Sequence, residues 1–134
     1  MTSLVLETPL SATEISTLEA TNLITELYQA VDAKSTSKLS TFLAEDLRFQ
    51  LGNFDPVRGK KAVLEVNDNF FQIIDTMTHR IDRIWAQSND IICKGEVHYK
   101  RLDQSKLSLP FATVLEIRND LIQDYQIYVD VTPL

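Results

Sequence analysis

The strongest constraint on the fold of this chain is a change of period near residue 78. Before it, apolar residues recur mostly at spacings of three and four; after it they alternate with polar ones. A period near 3.6 marks helices and a period of 2 marks half-buried strands. Four alternating runs, His79 to Ala86, Ile91 to Leu102, Lys106 to Arg118 and Leu121 to Thr132, are joined by Ser88-Asn89-Asp90, Asp103-Gln104-Ser105 and Asn119-Asp120. Connections this short join antiparallel neighbours, because a parallel crossover needs a dozen residues or more. Alternation places Ile91, Cys93, Gly95, Val97 and Tyr99 on one face of the second run, opposite Lys94, Glu96, His98 and Lys100. In the third run Leu109, Phe111, Thr113, Leu115 and Ile117 share a face; in the fourth, Tyr125, Ile127, Val129 and Val131 do.

Ahead of this meander, the stripe Ile15, Leu18, Leu23, Ile24, Leu27, Tyr28 and Val31 predicts a helix from about Ala12 to Ala33, opened by a capping box of Ser11 and Glu14. Ser35 caps a shorter helix with Leu39, Phe42 and Leu43 on its apolar side, ending near Glu45 and Asp46. Leu47, Phe49 and Leu51 then alternate with Arg48 and Gln50 as a strand that stops at Gly52, and Asn53-Phe54-Asp55-Pro56 is turn chemistry. A third helix starts near Gly59 and carries Val63, Val66, Phe70, Ile74 and Met77 as one stripe. The expected class is α+β: three N-terminal helices on one face of a strongly curved, mostly antiparallel sheet, in the order helix, helix, strand, helix and four strands. Long strands bend to stay compact, so the sheet is expected to curl into a cone with an apolar cavity at its mouth. At 134 residues this is one domain, 1–134, with residues 1–10 expected as a loose arm.

Composition removes whole classes of function. Gly52, Gly59 and Gly95 are the three glycines, too far apart for a phosphate-cradling loop, so neither a Walker loop nor a dinucleotide fingerprint is present and nucleotide-cofactor enzymes of those types are excluded; no cofactor is expected. With 13 basic and 19 acidic side chains the net charge is −6, which argues against nucleic acid or an anionic membrane as partner. One cysteine, Cys93, forms no internal disulfide, and the opening MTSLVLETPL has no basic region ahead of an apolar stretch, so a cytoplasmic address is expected.

Several segments carry a family likeness: YQAVDA with FLAEDLRF, then PVRGKKAV, HRIDRIW, KGEVHYKR and LIQDYQIYVDVTPL. Together with the element order they resemble the SnoaL-like branch of the nuclear-transport-factor-2-like superfamily, over roughly residues 24 to 134. The resemblance implies a cystatin-like cone and a small-molecule pocket. The superfamily includes isomerases, polyketide cyclases, epoxide hydrolases, dehydratases and binding modules, so fold analogy does not choose an activity. Carried over position by position, the ketosteroid isomerase base falls at Leu51, or Gln50 in the neighbouring register, and the protonated aspartate of its oxyanion hole falls near Thr113. The SnoaL-type cyclase acid falls at Ile127, in Tyr125-Gln126-Ile127. Of the limonene-epoxide hydrolase set, the last aspartate again falls at Ile127 and the Arg-x-Asp pair at Glu96-x-His98. None of the three mechanisms has its full residue set here.

His79 is the candidate catalytic residue, because it opens the meander at the expected cavity mouth and histidine changes charge near neutral pH. As a general base it needs a second group to orient its ring, and the sequence shows none. The competing reading is a satisfied packing residue. Candidate ligand-binding residues are Tyr28, Phe49, Leu51, Asn53, Trp85, Phe111, Thr113, Tyr125 and Ile127; for Asn53, as for Asp55, turn formation is an alternative reason for the residue. Asp130 is read as a strand-end cap or subunit contact. His98, with Glu96, Lys94 and Lys100, is read as a solvated face or dimer interface. No metal-ligand spacing exists, and Cys93 lies in an apolar row with no basic neighbour to activate it. These observations favour a homodimer holding a small hydrophobic molecule with one or two oxygens, and performing, if it is an enzyme, proton transfer on a polyketide-like or terpenoid-like substrate. The alternative is a non-catalytic binding or dimerisation module, whose cone in the second case is filled.

Overall fold

In the computed structural model, which describes residues 14–134, the first helix α1 (Thr17–Asp32) starts five residues later than expected. Its capping box is Ser16 and Glu19: the Ser16 hydroxyl accepts from the Glu19 N–H and the Glu19 carboxylate accepts from the Ser16 N–H, both at 3.0 Å. The spelling Ser-x-x-Glu occurs at Ser11 and again at Ser16. Ile15 settles the choice, since its N–H donates to the Ser88 carbonyl at 3.0 Å and so belongs to the sheet's edge rather than to a helix. Ser11 and the arm expected over residues 1–10 lie outside the described residues.

Helix α2 (Thr36–Ser40) is capped by Ser35 as expected, but Leu43 is not on it. Strand β1 (Leu43–Leu51) begins there, because Leu43 pairs with Ile122 and the Ile122 N–H donates to the Phe42 carbonyl at 2.8 Å. After the turn at Gly52 (φ 55°) comes an unanticipated short strand, β2 (Val57–Arg58), antiparallel to β1. Helix α3 (Lys60–Gln72) follows with Gly59 at its N-cap, and it stops short of Ile74 and Met77. Those two residues open β3 (Ile74–Gln87), where both are buried. Their spacing of three looks helical because Asp75 is an extra residue: the register shifts between Ile74 and Thr76, so both apolar side chains face inward across a bulge.

The meander continues through β4 (Asp90–Arg101), β5 (Lys106–Arg118) and β6 (Leu121–Tyr128). The order across the six-stranded open sheet is β2-β1-β6-β5-β4-β3, antiparallel throughout except for the parallel pair β1–β6. The architecture is α+β, with helices on one face and a core built from Ile24 and Leu27 of α1, Leu39 of α2 and the inward rows Leu47, Ile91, Leu115 and Ile122. A second bulge in β3, at Asp82, shifts the pairing between Ile81 and Arg83. Beyond it the inward residues are Ile84 and Ala86, not Trp85, since one extra residue sends every later side chain to the other face. Gly95 sits opposite this bulge; a Cβ there would lie 1.8 Å from the Arg80 carbonyl oxygen, so only glycine lets β3 approach this closely. No described helix is long and apolar enough to cross a membrane.

Candidate functional site

Helix α1 ends where β3 begins to cross it, and the last residue of the helix, Asp32, meets His79. Asp32 Oδ1 lies 2.6 Å from His79 Nδ1, and Asp32 Oδ2 accepts from the His79 backbone N–H at 2.9 Å. One carboxylate therefore fixes both the backbone and the ring of the histidine. A carboxylate only accepts, so Nδ1 carries a proton, and in the neutral ring Nε2 is left with its lone pair. Among the described residues no group forms a hydrogen bond with Nε2. The imidazole sits between aromatic neighbours, tilted 34° to the Tyr28 ring at 4.4 Å and perpendicular to the Phe111 ring at 5.1 Å. Its side chain is 9% exposed. Sequence reasoning found no orienting partner for His79; the signal for Asp32 was its position four residues after the inward Tyr28, on the same face of α1.

His79 lies on the wall of a partly open cavity of about 40 Å3 between α1, α3 and the sheet. The parallel pairing of β1 with β6 sets Phe49 beside Tyr125 and Leu51 beside Ile127, and all four line it. Tyr28, Phe111, Phe70 and Tyr99 supply further aromatic wall, and Asn67 an amide. The Tyr28 and Thr113 hydroxyls share a short hydrogen bond, and the Tyr125 hydroxyl donates toward Tyr28 at 3.4 Å. Burial pushes both Tyr28 and Tyr125 well above the ordinary phenol range, so this trio is neutral and mutually bonded. Tyr99 is different. Its side chain is 5% exposed, it lines the cavity, and none of the described residues bonds its hydroxyl. Burial, and secondarily the Asp32 charge, raises its phenol to about 12, which keeps it a proton donor at neutral pH. Strand pairing sets His79 opposite Val97, two residues from Tyr99, and both His79 and Tyr99 line the cavity.

Of the residues expected to contact a ligand, Tyr28, Phe49, Leu51, Phe111, Tyr125 and Ile127 line the cavity. Thr113 is fully buried but sits behind Tyr28, to which it is bonded. Asn53 is exposed in the turn after β1 and does not reach the cavity. Trp85 is on the outer face, 38% exposed under the Arg83 guanidinium, because of the Asp82 bulge. Glu96 and His98 also face outward, His98 bonded to Ser108 at 2.7 Å, so the cavity-side positions of β4 are Val97 and Tyr99, one residue away from the carried-over pair. Asp130 is exposed and accepts from the Thr132 N–H at 3.0 Å, a local turn. Cys93 is buried beside Thr113, and desolvation raises its thiol to about 11. No group of three metal-ligating side chains occurs among the described residues.

The family model for the SnoaL-like domain matches residues 24–125, most of the chain. The chain belongs to the SnoaL-like family. Its fold is shared by solved structures that include an LEH-like epoxide hydrolase from M. tuberculosis, 17% identical over 85% of this chain and 84% of that one with a TM-score of 0.74. A candidate polyketide cyclase from Xanthomonas campestris is 18% identical over 85% and 92% of the two chains, TM-score 0.76. An NTF2-like protein from Anabaena variabilis is 19% identical over 85% and 89%, TM-score 0.74. At these identities the likeness shows the SnoaL-like, NTF2-like fold and leaves the activity to the site. No curated protein matches the sequence.

Proposed function

We propose that this SnoaL-like protein binds a small, largely apolar carbonyl compound in its cavity and moves a proton on it without a cofactor, as an isomerase or cyclase of polyketide-like or terpenoid-like substrates. The observation that carries this reading is the 2.6 Å bond between His79 Nδ1 and Asp32 on the cavity wall. It presets the tautomer in which Nε2 is a base, and the carboxylate stabilises the imidazolium formed when that nitrogen takes a proton. Tyr99 is the donor placed to hold a ligand oxygen as negative charge develops on it. The aromatic walls limit bulk water at the reacting carbon, so the proton passes between the substrate and the histidine, which exchanges it with solvent deuterium between turnovers.

The test is hydrogen–deuterium exchange at the α-carbon of a panel of small enolisable ketones in D2O, followed by proton NMR. The wild-type protein is expected to accelerate exchange of at least one, and His79→Gln to return it to the buffer rate. Exchange unchanged in His79→Gln removes the assignment of the base.

A second reading, a binding module without turnover, is favoured by Leu51 and Ile127, which stand side by side on the wall and carry no ionisable group. It predicts a small organic adduct in native mass spectrometry and no exchange with any ketone. In either case we propose a homodimer joined through the outer sheet face and a reducing compartment such as the cytoplasm, which suits a single unpaired thiol.

A further inference from the structure

The cavity alone is too small for the ligand class just proposed. Its volume of about 40 Å3 is space for roughly three water molecules. On the far side of Phe49, Leu51, Val66 and Phe70, however, lies an open groove of about 250 Å3, and those four residues belong to both walls. The groove is apolar and framed at its lip by Phe54, from the turn after β1, and Ile73, just past the end of α3. These two side chains are 57% and 59% exposed. Apolar side chains left in water around an apolar groove mark a surface that gains from being covered. The inner cavity and the groove together approach the roughly 300 Å3 at which small-molecule sites begin.

Resting on the reading of the cavity as a ligand site, we infer that the two spaces form one bipartite site. The oxygen-bearing head of the ligand occupies the inner cavity at His79 and Tyr99. Its hydrocarbon body lies in the groove against Phe54 and Ile73, and Phe70 turns about its side-chain bonds to join the two. The charge at the lip selects the occupant further. Asp55 stands there, on a chain of net charge −6, so a negative charge on the body of the ligand is disfavoured. The substrate class that fits is a neutral carbonyl compound with an apolar chain or ring of about six to eight carbons beyond the reacting end.

The experiment is a calorimetric or NMR titration with 2-butanone, 2-hexanone, 2-octanone and 2-decanone. Affinity is expected to rise up to roughly fourfold per methylene, the ratio corresponding to burial of one CH2, and to level off once the groove is filled. In Ile73→Asp and Phe54→Ser, both exposed positions whose change leaves the core intact, 2-octanone is expected to weaken by tenfold or more while 2-butanone is unchanged. His79→Gln is expected to preserve the chain-length dependence. If 2-butanone binds and exchanges through His79 but affinity is independent of chain length, or the two lip variants keep the wild-type slope, the bipartite site is overturned and the cavity reading stands. If no ketone of any length binds, both fall.

Discussion

At the scale of single residues, the site depends on one carboxylate with two duties. Asp32 accepts from the His79 ring and from the His79 backbone. In Asp32→Asn the amide can turn its NH2 toward Nδ1, and the imidazole then carries its proton on Nε2, the wrong nitrogen for a base. The expected loss is on the order of a thousandfold in any exchange activity with little change in ligand affinity. The nitrogen-15 shifts of His79 report the tautomer directly, and an unchanged tautomer in the variant would remove Asp32 as the orienting residue. Tyr99 gives a second prediction, in pH. Its phenol stays protonated in the folded chain up to about 12, while in the unfolded chain it ionises near the ordinary phenol value of 10.0. Its contribution is therefore intact below pH 10 and is lost as pH rises through 12, by up to roughly 3 kcal/mol. Cys93, raised to about 11, acts in the same direction. Urea melts at pH 9, 10 and 11 should show a steeper decline for wild type than for Tyr99→Phe; equal slopes would mean that the phenol is not held neutral by the fold.

At the scale of elements, the bulges of β3 decide what the sequence reveals. The existence of helices α1 and α2, the inward rows of β4 and β5 and the turns between strands follow from periodicity and capping, although the start of α1 and the place of Leu43 do not. In the meander, what periodicity misreads lies at Asp75 and Asp82, where an extra residue gives a strand the spacing of a helix or reverses its faces. Ile74 and Met77 thus looked like the end of the third helix, and Trp85 looked inward. His79 and most of the aromatic wall were legible because they lie between the bulges of β3, on helices, or on stretches of the other strands away from their register shifts. Asp32 was not: its place four residues after Tyr28 puts it on the inward face of α1, but which residue it meets is a contact between distant parts of the chain. Gly95 is where the second bulge is physically anchored. Gly95→Ala places a methyl 1.8 Å from the Arg80 carbonyl oxygen, so β3 must move away, at an expected cost of about 3 kcal/mol. Chemical denaturation measures it, and a loss below about 0.5 kcal/mol, the range of an ordinary surface change, would show that the strands adjust freely.

At the scale of the whole molecule, the layers are unequal. One face of the sheet is covered by helices, and the other is bare among the described residues. An antiparallel sheet tolerates a solvated face when that face is polar, and much of this one is: Arg80, Asp82, Glu96 and His98 form a charged, mutually bonded patch. Toward the opposite end of the same strands the character changes. Trp85 pairs with Ile92 and Ile92 pairs with Val114, so three apolar side chains run in a row across β3, β4 and β5. Trp85 and Ile92 remain 38% and 39% exposed. A two-fold dimer that sets this row against its own copy would bury it on both chains, with the charged patch left at the rim, the usual anatomy of a protein interface. Ile92→Lys then places two ammonium groups near the axis and is expected to convert a dimer into a monomer that keeps its fold and its ketone binding, since the cavity opens on the other side of the sheet. Native mass spectrometry of wild type and variant reads this directly. A wild-type monomer at micromolar concentration, or a dimer indifferent to Ile92→Lys, would place the interface elsewhere and leave the apolar row as ordinary exposed surface.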